Sequence, residues 1–411
     1  AEKSGFLAAF MQKVLGSAAP ALVTFTIIFV GINGNVAGDA AFVVLPPVAG
    51  VIFLGMGRHP LLGVFCGYAS VAAGFCANIM IGMSDSLAYG FTEAAARMID
   101  PNYTGSPAIN YYFLVASCVV LSLVGTLVTE KFMAPRFAGQ DLSKYELDEE
   151  TLRITPQKSK AVTYAIVATL IALGILVALC LGDKPVLGDP KTGSIMAGTS
   201  PFMTGIILTV TLILFVPGAV YGFASGKYKS DKDMFADVSQ AFKDVSGYIL
   251  LCFFCAQFTS YFAWSNLGAV LAIKGASLLK EMSFTGVPLI VGLVLVSCIV
   301  NIFIGSASAK WAILAPVMVP MMMILGYDPA ITQVAYRIGD SITNPLSPLF
   351  YYFPLILGFV RRYEKDTGMG TIIANMLPYS FFFTIAWIVL LVIWVTFDLP
   401  LGPGGYVHLP K

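Results

Sequence analysis

The hydrophobic positions of this chain come in long uninterrupted runs rather than at the spacing of a one-sided soluble helix. Clean runs cover 110–129, 161–181, 203–224 and 371–397. Each is close to the roughly 20 residues that a helix needs to cross a bilayer. Polar loops separate them. Loop 130–160 carries Lys131, Arg136, Lys144, Arg153, Lys158 and Lys160, loop 182–200 only Lys184 and Lys191, and loop 225–247 Lys227, Lys229, Lys232 and Lys243. This alternation of six, two and four basic residues places loops 130–160 and 225–247 on the cytoplasmic side by the positive-inside rule.

Other apolar stretches are broken. Residues 3–18 mix apolar positions with Lys3 and Lys13 and predict an interfacial amphipathic helix. The run 19–32 ends at a stretch containing Asn33, Asn35 and Asp39, and the run 40–55 contains Pro46 and Pro47. Residues 61–82 are interrupted at Gly74 and Asn78, 248–273 carry Gln257, Ser265 and Asn266, and 286–304 reach Asn301. Residues 306–326 read as a short in-and-out segment, and 330–360 are broken from Asp340 to Pro348. The tail from Leu399 is rich in Pro and Gly and reads as a short exposed end.

Two of the broken regions resemble each other. Pro47 and Pro60 are thirteen residues apart, as are Pro316 and Pro329. Aligned on these prolines, Gly57 falls on Gly326, Phe42 on Trp311, Leu45 on Leu314 and Asp39 on Ser308. Each region then runs into a polar break ending in Asn, at Asn78 and at Asn344. Broken helices leave backbone groups that lipid cannot satisfy, so they persist only around an ion, a substrate or a water-filled cavity. A pair of such units is the sequence pointer to a secondary transporter with its site between them.

Composition fixes the solvent. Of 411 residues, 57% are hydrophobic and 11% charged, against about 25% charged in a soluble domain. The fold class is therefore an all-α polytopic membrane protein, and the paired units make it a secondary transporter with two re-entrant helical hairpins and discontinuous helices. Residues 1–129 form the first unit, 130–160 a cytoplasmic linker, 161–247 connecting spans, and 248–411 the second unit with the final span. A net charge of +1 gives no footprint for nucleic acid. With only His59 and His408, a His-based metal site or triad is excluded. Cys252 and Cys255 form a C-x-x-C inside an apolar run and read as packing residues.

Few charges lie within or beside the apolar stretches: Asp39, Asp85, Glu93, Arg97, Lys310, Arg337 and Asp340. An ionised group at the bilayer centre costs about 2.5–3.5 kcal/mol on insertion scales, so each needs a partner or a role. Arg337 and Asp340 share a helix face at i,i+3. They either neutralise each other, or Asp340 binds a cation while Arg337 faces an anionic substrate. Asp340 and Asn344 together offer oxygen ligands suited to Na⁺. Lys310 either snorkels to an interface or joins the site. Trp311 either stacks on an aromatic substrate or anchors at the interface, and Trp264 has the same two readings. Asp85 follows the Gly82-Met-Ser84 break, whereas Glu93, Arg97 and Asp100 read as a solvated helix face.

At these residues the chain resembles the AbgT family of p-aminobenzoyl-glutamate transporters. The resemblance rests on Ala1 to Gly5, Gly38 to Pro46, Gly57 to Pro60, Asn78 to Asp85 and above all Arg337 to Pro348. It implies an inverted-repeat secondary transporter with two re-entrant helical hairpins and discontinuous helices, as a multi-pass homodimer in the bacterial inner membrane. It also implies ion-coupled movement of an aromatic carboxylate, p-aminobenzoyl-glutamate or related p-aminobenzoate-like compounds, or of sulfonamides. Na⁺ is the implied coupling ion, with H⁺ the alternative and no other cofactor. The resemblance places Na⁺ on Asn301, Asp340 and Asn344, and substrate on Asp85, Ser308, Trp311, Pro329, Arg337, Asp340 and Pro348. Family chains carry a leading membrane region before the Ala-Glu-Lys-Ser-Gly motif, so a chain opening on Ala1 is expected to be a fragment. The rival readings are a dicarboxylate or citrate transporter of the same architecture and an intramembrane hydrolase.

Overall fold

The computed structural model describes residues 3–16, 22–34, 40–142, 144–145, 155–182, 185–190, 193–195, 200–244, 250, 253–254, 256–258, 260–261, 264–282 and 285–409. Its first half contains α1 (Phe6–Gly16), α2 (Val23–Asn33), α3 (Ala40–Gly55), α4 (Pro60–Ala72), α5 (Met83–Ala96) and α6 (Tyr111–Leu127). A π-helical turn, Val128–Met133, and a last turn, Ala134–Phe137, extend α6. The connecting region holds α7 (Pro156–Cys180), α8 (Ile206–Ala224) and α9 (Asp231–Asp244). The second half holds α10 (Leu267–Glu281), α11 (Val287–Phe303), α12 (Ala307–Ile324), α13 (Pro329–Thr343), α14 (Phe353–Tyr363) and α15 (Met369–Thr396). Among the described residues, β pairing is confined to two isolated bridges, Tyr327 with His408 and Gly402 with Gly405. The fold is all-helical. Asn35, Asp39, Cys252 and Cys255 lie outside the described residues.

Four stretches among the described residues are long and apolar enough to cross a membrane: Tyr111–Phe137, Pro156–Cys180, Ala307–Ile324 and Met369–Thr396. The third corrects the expectation of a short in-and-out segment at 306–326. Pro316 and Pro320 sit inside one continuous helix of 18 residues, and membrane helices tolerate proline where neighbours satisfy the freed carbonyls.

The two units found in the sequence share a local construction. Pro47 lies inside α3 and Pro316 inside α12. The turns that follow pass through glycines in the left-handed region, Gly57 at φ +69° and Gly326 at φ +92°, where a Cβ is disfavoured. Next comes a capping side chain. His59 Nδ1 accepts from Leu61 N at 3.2 Å, and Asp328 Oδ1 accepts from Ala330 N at 2.8 Å. Pro60 and Pro329 then open α4 and α13, the position that proline's missing N–H and fixed φ suit best.

The hairpin turns face opposite ways. The α3–α4 turn meets the loop after α6, where the Tyr145 hydroxyl lies 3.0 Å from His59 Nε2 and donates to Glu364 at 2.6 Å. Lys144 pairs with the same Glu364 at 2.8 Å. The α12–α13 turn instead meets the C-terminal tail, through Asp328 N to Val407 O and Leu409 N to Gly326 O, both 3.0 Å. Between these faces the breaks after α4 and α13 touch. Asn344 Nδ2 donates to the Ala72 carbonyl at 3.3 Å, and Cys76 N donates to Ser341 Oγ at 3.1 Å. Two helix C-terminal ends thus converge in the middle of the molecule.

The tail is therefore not the exposed end expected from its Pro and Gly content. Leu401 and Val407 are fully buried. A Cβ on Gly402 or Gly405 would lie 2.1 Å from the Ala108 or Ile109 carbonyl, respectively, so these glycines are what let the tail dock.

The units differ in how tightly their helices close. α3 and α4 pack along their length, and a Cβ on Gly63 would sit 2.2 Å from the Ala49 carbonyl oxygen. At positions aligned with Gly50, Gly63 and Gly67 the second unit has Val319, Thr332 and Tyr336. Accordingly α12 stands off from α13 and packs mainly on α5 and α10. Gly63→Ala should destabilise the protein by about 1–3 kcal/mol through overpacking. Gly174→Ala, where a Cβ meets nothing within 4 Å, should be neutral or stabilise by up to about 1 kcal/mol. Thermal unfolding in detergent measures both.

The His59 contact carries a pH dependence. Burial pushes its imidazole below the ordinary value of 6.5, against the opposing pull of Glu364. Above pH 6.5 the ring is neutral in both folded and unfolded chains. As the pH falls below that value the unfolded chain takes up the proton first, and stability is lost. The melting temperature should therefore drop more on going from pH 7 to pH 5.5 in the native chain than in His59→Gln. Equal drops in the two proteins would contradict this assignment.

Candidate functional site

A cavity of about 310 Å³ opens where the two breaks meet. It is lined by Phe75 and Cys76 from the first break, by Ser306, Ser308 and Trp311 from the start of α12, and by Tyr336, Arg337, Asp340 and Asn344 from α13 and its end. Phe42, Phe350, Tyr351 and Tyr352 complete an aromatic side.

The charges pair differently from the i,i+3 reading. Arg337 and Asp340 do not neutralise each other. Arg337 Nη1 lies 2.6 Å from Asp85 Oδ1, with the two side chains 3% and 1% exposed. Asp85 stands in the first turn of α5, where its Oδ2 accepts from Gly82 N at 2.6 Å and from Asn78 Nδ2 at 3.4 Å. A carboxylate at that place is favoured by the helix N-terminus. Arg337 Nη2 has no hydrogen-bond partner, although it is buried at the cavity wall. Asp340 instead pairs with Lys310, both about 1% exposed. Lys310 thus does not snorkel: its ammonium is shared between Asp340 Oδ1 and Asn301 Oδ1.

Asn301 ties this cluster together. Its Nδ2 donates to the Asp340 carbonyl at 2.6 Å, to Thr343 Oγ1 at 2.8 Å and to Asn344 Oδ1 at 3.0 Å. Asp340 Oδ2 is buried without a partner. Two cations and two carboxylates therefore balance around the cavity, and each pair joins residues from different helices.

The aromatic side chains form two stacks. Trp311 lies on Tyr336 with ring centroids 4.4 Å apart, and Phe42 lies on Tyr352 at 4.0 Å. Phe42 and Trp311 are the aligned positions of the repeat, so the cavity has an aromatic wall from each unit. Trp311 is 1% exposed and donates from Nε1 to Thr92 Oγ1 at 2.8 Å. That excludes the interfacial-anchor reading. Behind it, Thr92 donates to Gln333 at 2.6 Å and Gln333 donates to Asn110 at 2.7 Å. Trp264, by contrast, is 85% exposed and belongs to the outer surface. Glu93 and Arg97 make a surface i,i+4 pair at 2.7 Å, as expected of a solvated face.

Of the residues named from the sequence, Ser308, Trp311, Arg337, Asp340 and Asn344 line the cavity, while Asp85 and Asn301 stand behind it as partners of lining residues. Pro329 begins α13 at the α12–α13 turn, the far end of that helix from Asp340, and Pro348 is exposed; neither lines the cavity. Tyr336, Phe42, Phe350 and Tyr352 were not singled out as site residues. The Phe42–Trp311 alignment was the signal that pointed to one of them.

A sequence model described as "AbgT putative transporter family" matches residues 1–409. The chain belongs to the AbgT family. It is 35% identical over 409 residues to the p-aminobenzoyl-glutamate transport protein of Escherichia coli (strain K12), covering 100% of this chain and 80% of that protein. Its structure is similar to the YdaH transporter of Alcanivorax borkumensis, with a TM-score of 0.93 and 39% identity over 98% of this chain and 84% of that one. It is also similar to Neisseria gonorrhoeae MtrF, described as one of a class of antimetabolite efflux pumps, with a TM-score of 0.91 and 39% identity over 98% and 80% of the two chains. This AbgT chain is thus an integral membrane transporter of small molecules and not an enzyme.

Proposed function

We propose that this AbgT protein moves p-aminobenzoyl-glutamate, an aromatic amide bearing carboxylates, or related p-aminobenzoate-like or sulfonamide compounds across the cytoplasmic membrane, driven by an ion gradient. The observation that carries the reading is Arg337. It is a buried guanidinium with an unpartnered Nη2 at the wall of a cavity whose other sides are aromatic stacks. A planar fork of N–H donors suits a carboxylate, and the rings suit an aromatic body. Ser308 adds a hydroxyl at the same wall. The relatives named for p-aminobenzoyl-glutamate transport and antimetabolite efflux support the same substrate class.

The pairs around the cavity supply the coupling. A substrate carboxylate arriving at Arg337 competes with Asp85 for the guanidinium. Asp340, which anchors the Lys310–Asp340–Asn301 cluster, stands one turn from Arg337 on α13, so the ionic state of the cluster is felt at the substrate site. Alternating access then moves the inverted units against each other around this fixed centre.

Uptake of labelled p-aminobenzoyl-glutamate into proteoliposomes, under imposed Na⁺ or H⁺ gradients, tests the reading. Accumulation that depends on a gradient, and that sulfonamides inhibit but citrate and succinate do not, is expected. Inhibition by citrate or succinate alone would favour a dicarboxylate or citrate transporter of the same architecture.

A further inference from the structure

We propose that the Lys310 ammonium is a built-in counter-cation holding the place a bound Na⁺ would take, so that this chain binds its substrate without Na⁺. The proposal rests on reading the cavity as the substrate site. The oxygens that the family resemblance offers to Na⁺ belong to Asn301, Asp340 and Asn344, and a hard cation needs such oxygens turned toward it. Here Asn301 Oδ1, Asp340 Oδ1 and Asn344 Oδ1 are engaged by nitrogen donors, and of the side-chain oxygens of this set only Asp340 Oδ2 is left without one. Lys310 Nζ takes Asn301 Oδ1 and Asp340 Oδ1. The Asn301 Nδ2 group takes the Asp340 carbonyl, Thr343 Oγ1 and Asn344 Oδ1.

The orientation of the Asn301 amide makes the two cations mutually exclusive. Na⁺ among Asp340 O, Asn344 Oδ1 and Asn301 would require the amide oxygen to turn toward those oxygens. That rotation aims the Asn301 NH₂ at the Lys310 ammonium, donor against donor. The residues as arranged therefore do not fit Na⁺ while Lys310 is seated. Lys310 is also committed to this seat. It stands in the first turn of α12 with its side chain 1% exposed and its ammonium held by Asp340 and Asn301. Ammonium and Na⁺ carry the same charge, so either one leaves the cluster neutral against Asp340. Removing the ammonium frees Asp340 Oδ1, in addition to the unpartnered Oδ2, as ligands for an ion.

The purified full chain in detergent tests this, with thermal unfolding and equilibrium binding of labelled p-aminobenzoyl-glutamate compared in NaCl and choline chloride at equal ionic strength. The native chain should melt alike in both salts and bind substrate with affinities within about twofold, a negligible coupling. Lys310→Ala should melt higher in NaCl, bind radiolabelled sodium, and bind substrate about tenfold more tightly in NaCl than in choline chloride. A native chain whose melting or affinity depends on Na⁺, with the dependence lost in Asp340→Asn, overturns the proposal, as does a folded Lys310→Ala that ignores Na⁺. If Lys310→Ala does not fold, Lys310→Arg keeps a tethered cation and should remain indifferent to Na⁺; a Na⁺ response in that variant overturns the proposal too. The melting comparison needs no substrate. Failure to bind p-aminobenzoyl-glutamate in any salt would therefore count against the substrate reading, and the melting data would still decide the role of Lys310.

Discussion

Arg337→Ala is expected to abolish uptake and to lower stability by about 3–5 kcal/mol, the range for breaking a buried ion pair from one side. The loss of stability comes from what stays behind. Asp85 is 1% exposed, and its Oδ1 has no hydrogen-bond partner to replace the guanidinium. The loss of uptake comes from the cavity, where Arg337 is the cation with a free N–H group. The two effects separate in a double variant. Arg337→Gln with Asp85→Asn removes both charges and should recover most of the melting temperature while uptake stays absent. Recovery of uptake along with stability would show that Arg337 holds the fold together and does not meet substrate. Double-mutant cycles are the appropriate measure, since residues in contact are not additive.

Much of this arrangement was legible in the sequence. The paired prolines and the glycines at 57 and 326 marked two hairpins, because a turn between membrane helices needs a left-handed residue, and a helix start tolerates proline. The scarcity of charge marked the site, because each charge kept in an apolar segment needs a reason. Partner choice was not legible. The i,i+3 spacing of Arg337 and Asp340 suggested a local pair, yet each found a partner on another helix, Asp85 on α5 and Lys310 on α12. Local spacing defines who shares a face and says nothing of what that face meets. The splay of α12 was hidden for the same kind of reason. It follows from Thr332 and Tyr336 standing where the first unit has glycines, a contrast visible only after the units are aligned. The tail misled because Pro and Gly signal loops, while Gly402 and Gly405 serve here to let backbone approach backbone.

Asp340→Asn should be as severe as Arg337→Ala and for a complementary reason. The change keeps the shape of the side chain and removes its charge, leaving the Lys310 ammonium buried against neutral amide oxygens with no carboxylate to balance it. An uncompensated buried cation again predicts a loss of about 3–5 kcal/mol, read as a fall in melting temperature. Adding Lys310→Met removes the stranded charge while keeping a long apolar stem, and stability should return. Transport should return only in part. With both charges gone, nothing at the cluster answers to an ion gradient, but Arg337 and the aromatic walls remain. Proteoliposomes carrying the double variant should exchange labelled substrate down its own gradient and fail to accumulate it against one. Gradient-driven accumulation by the double variant would remove the Lys310–Asp340 pair from the coupling machinery. Loss of exchange as well, in a protein that melts like the native chain, would make the pair part of substrate binding instead.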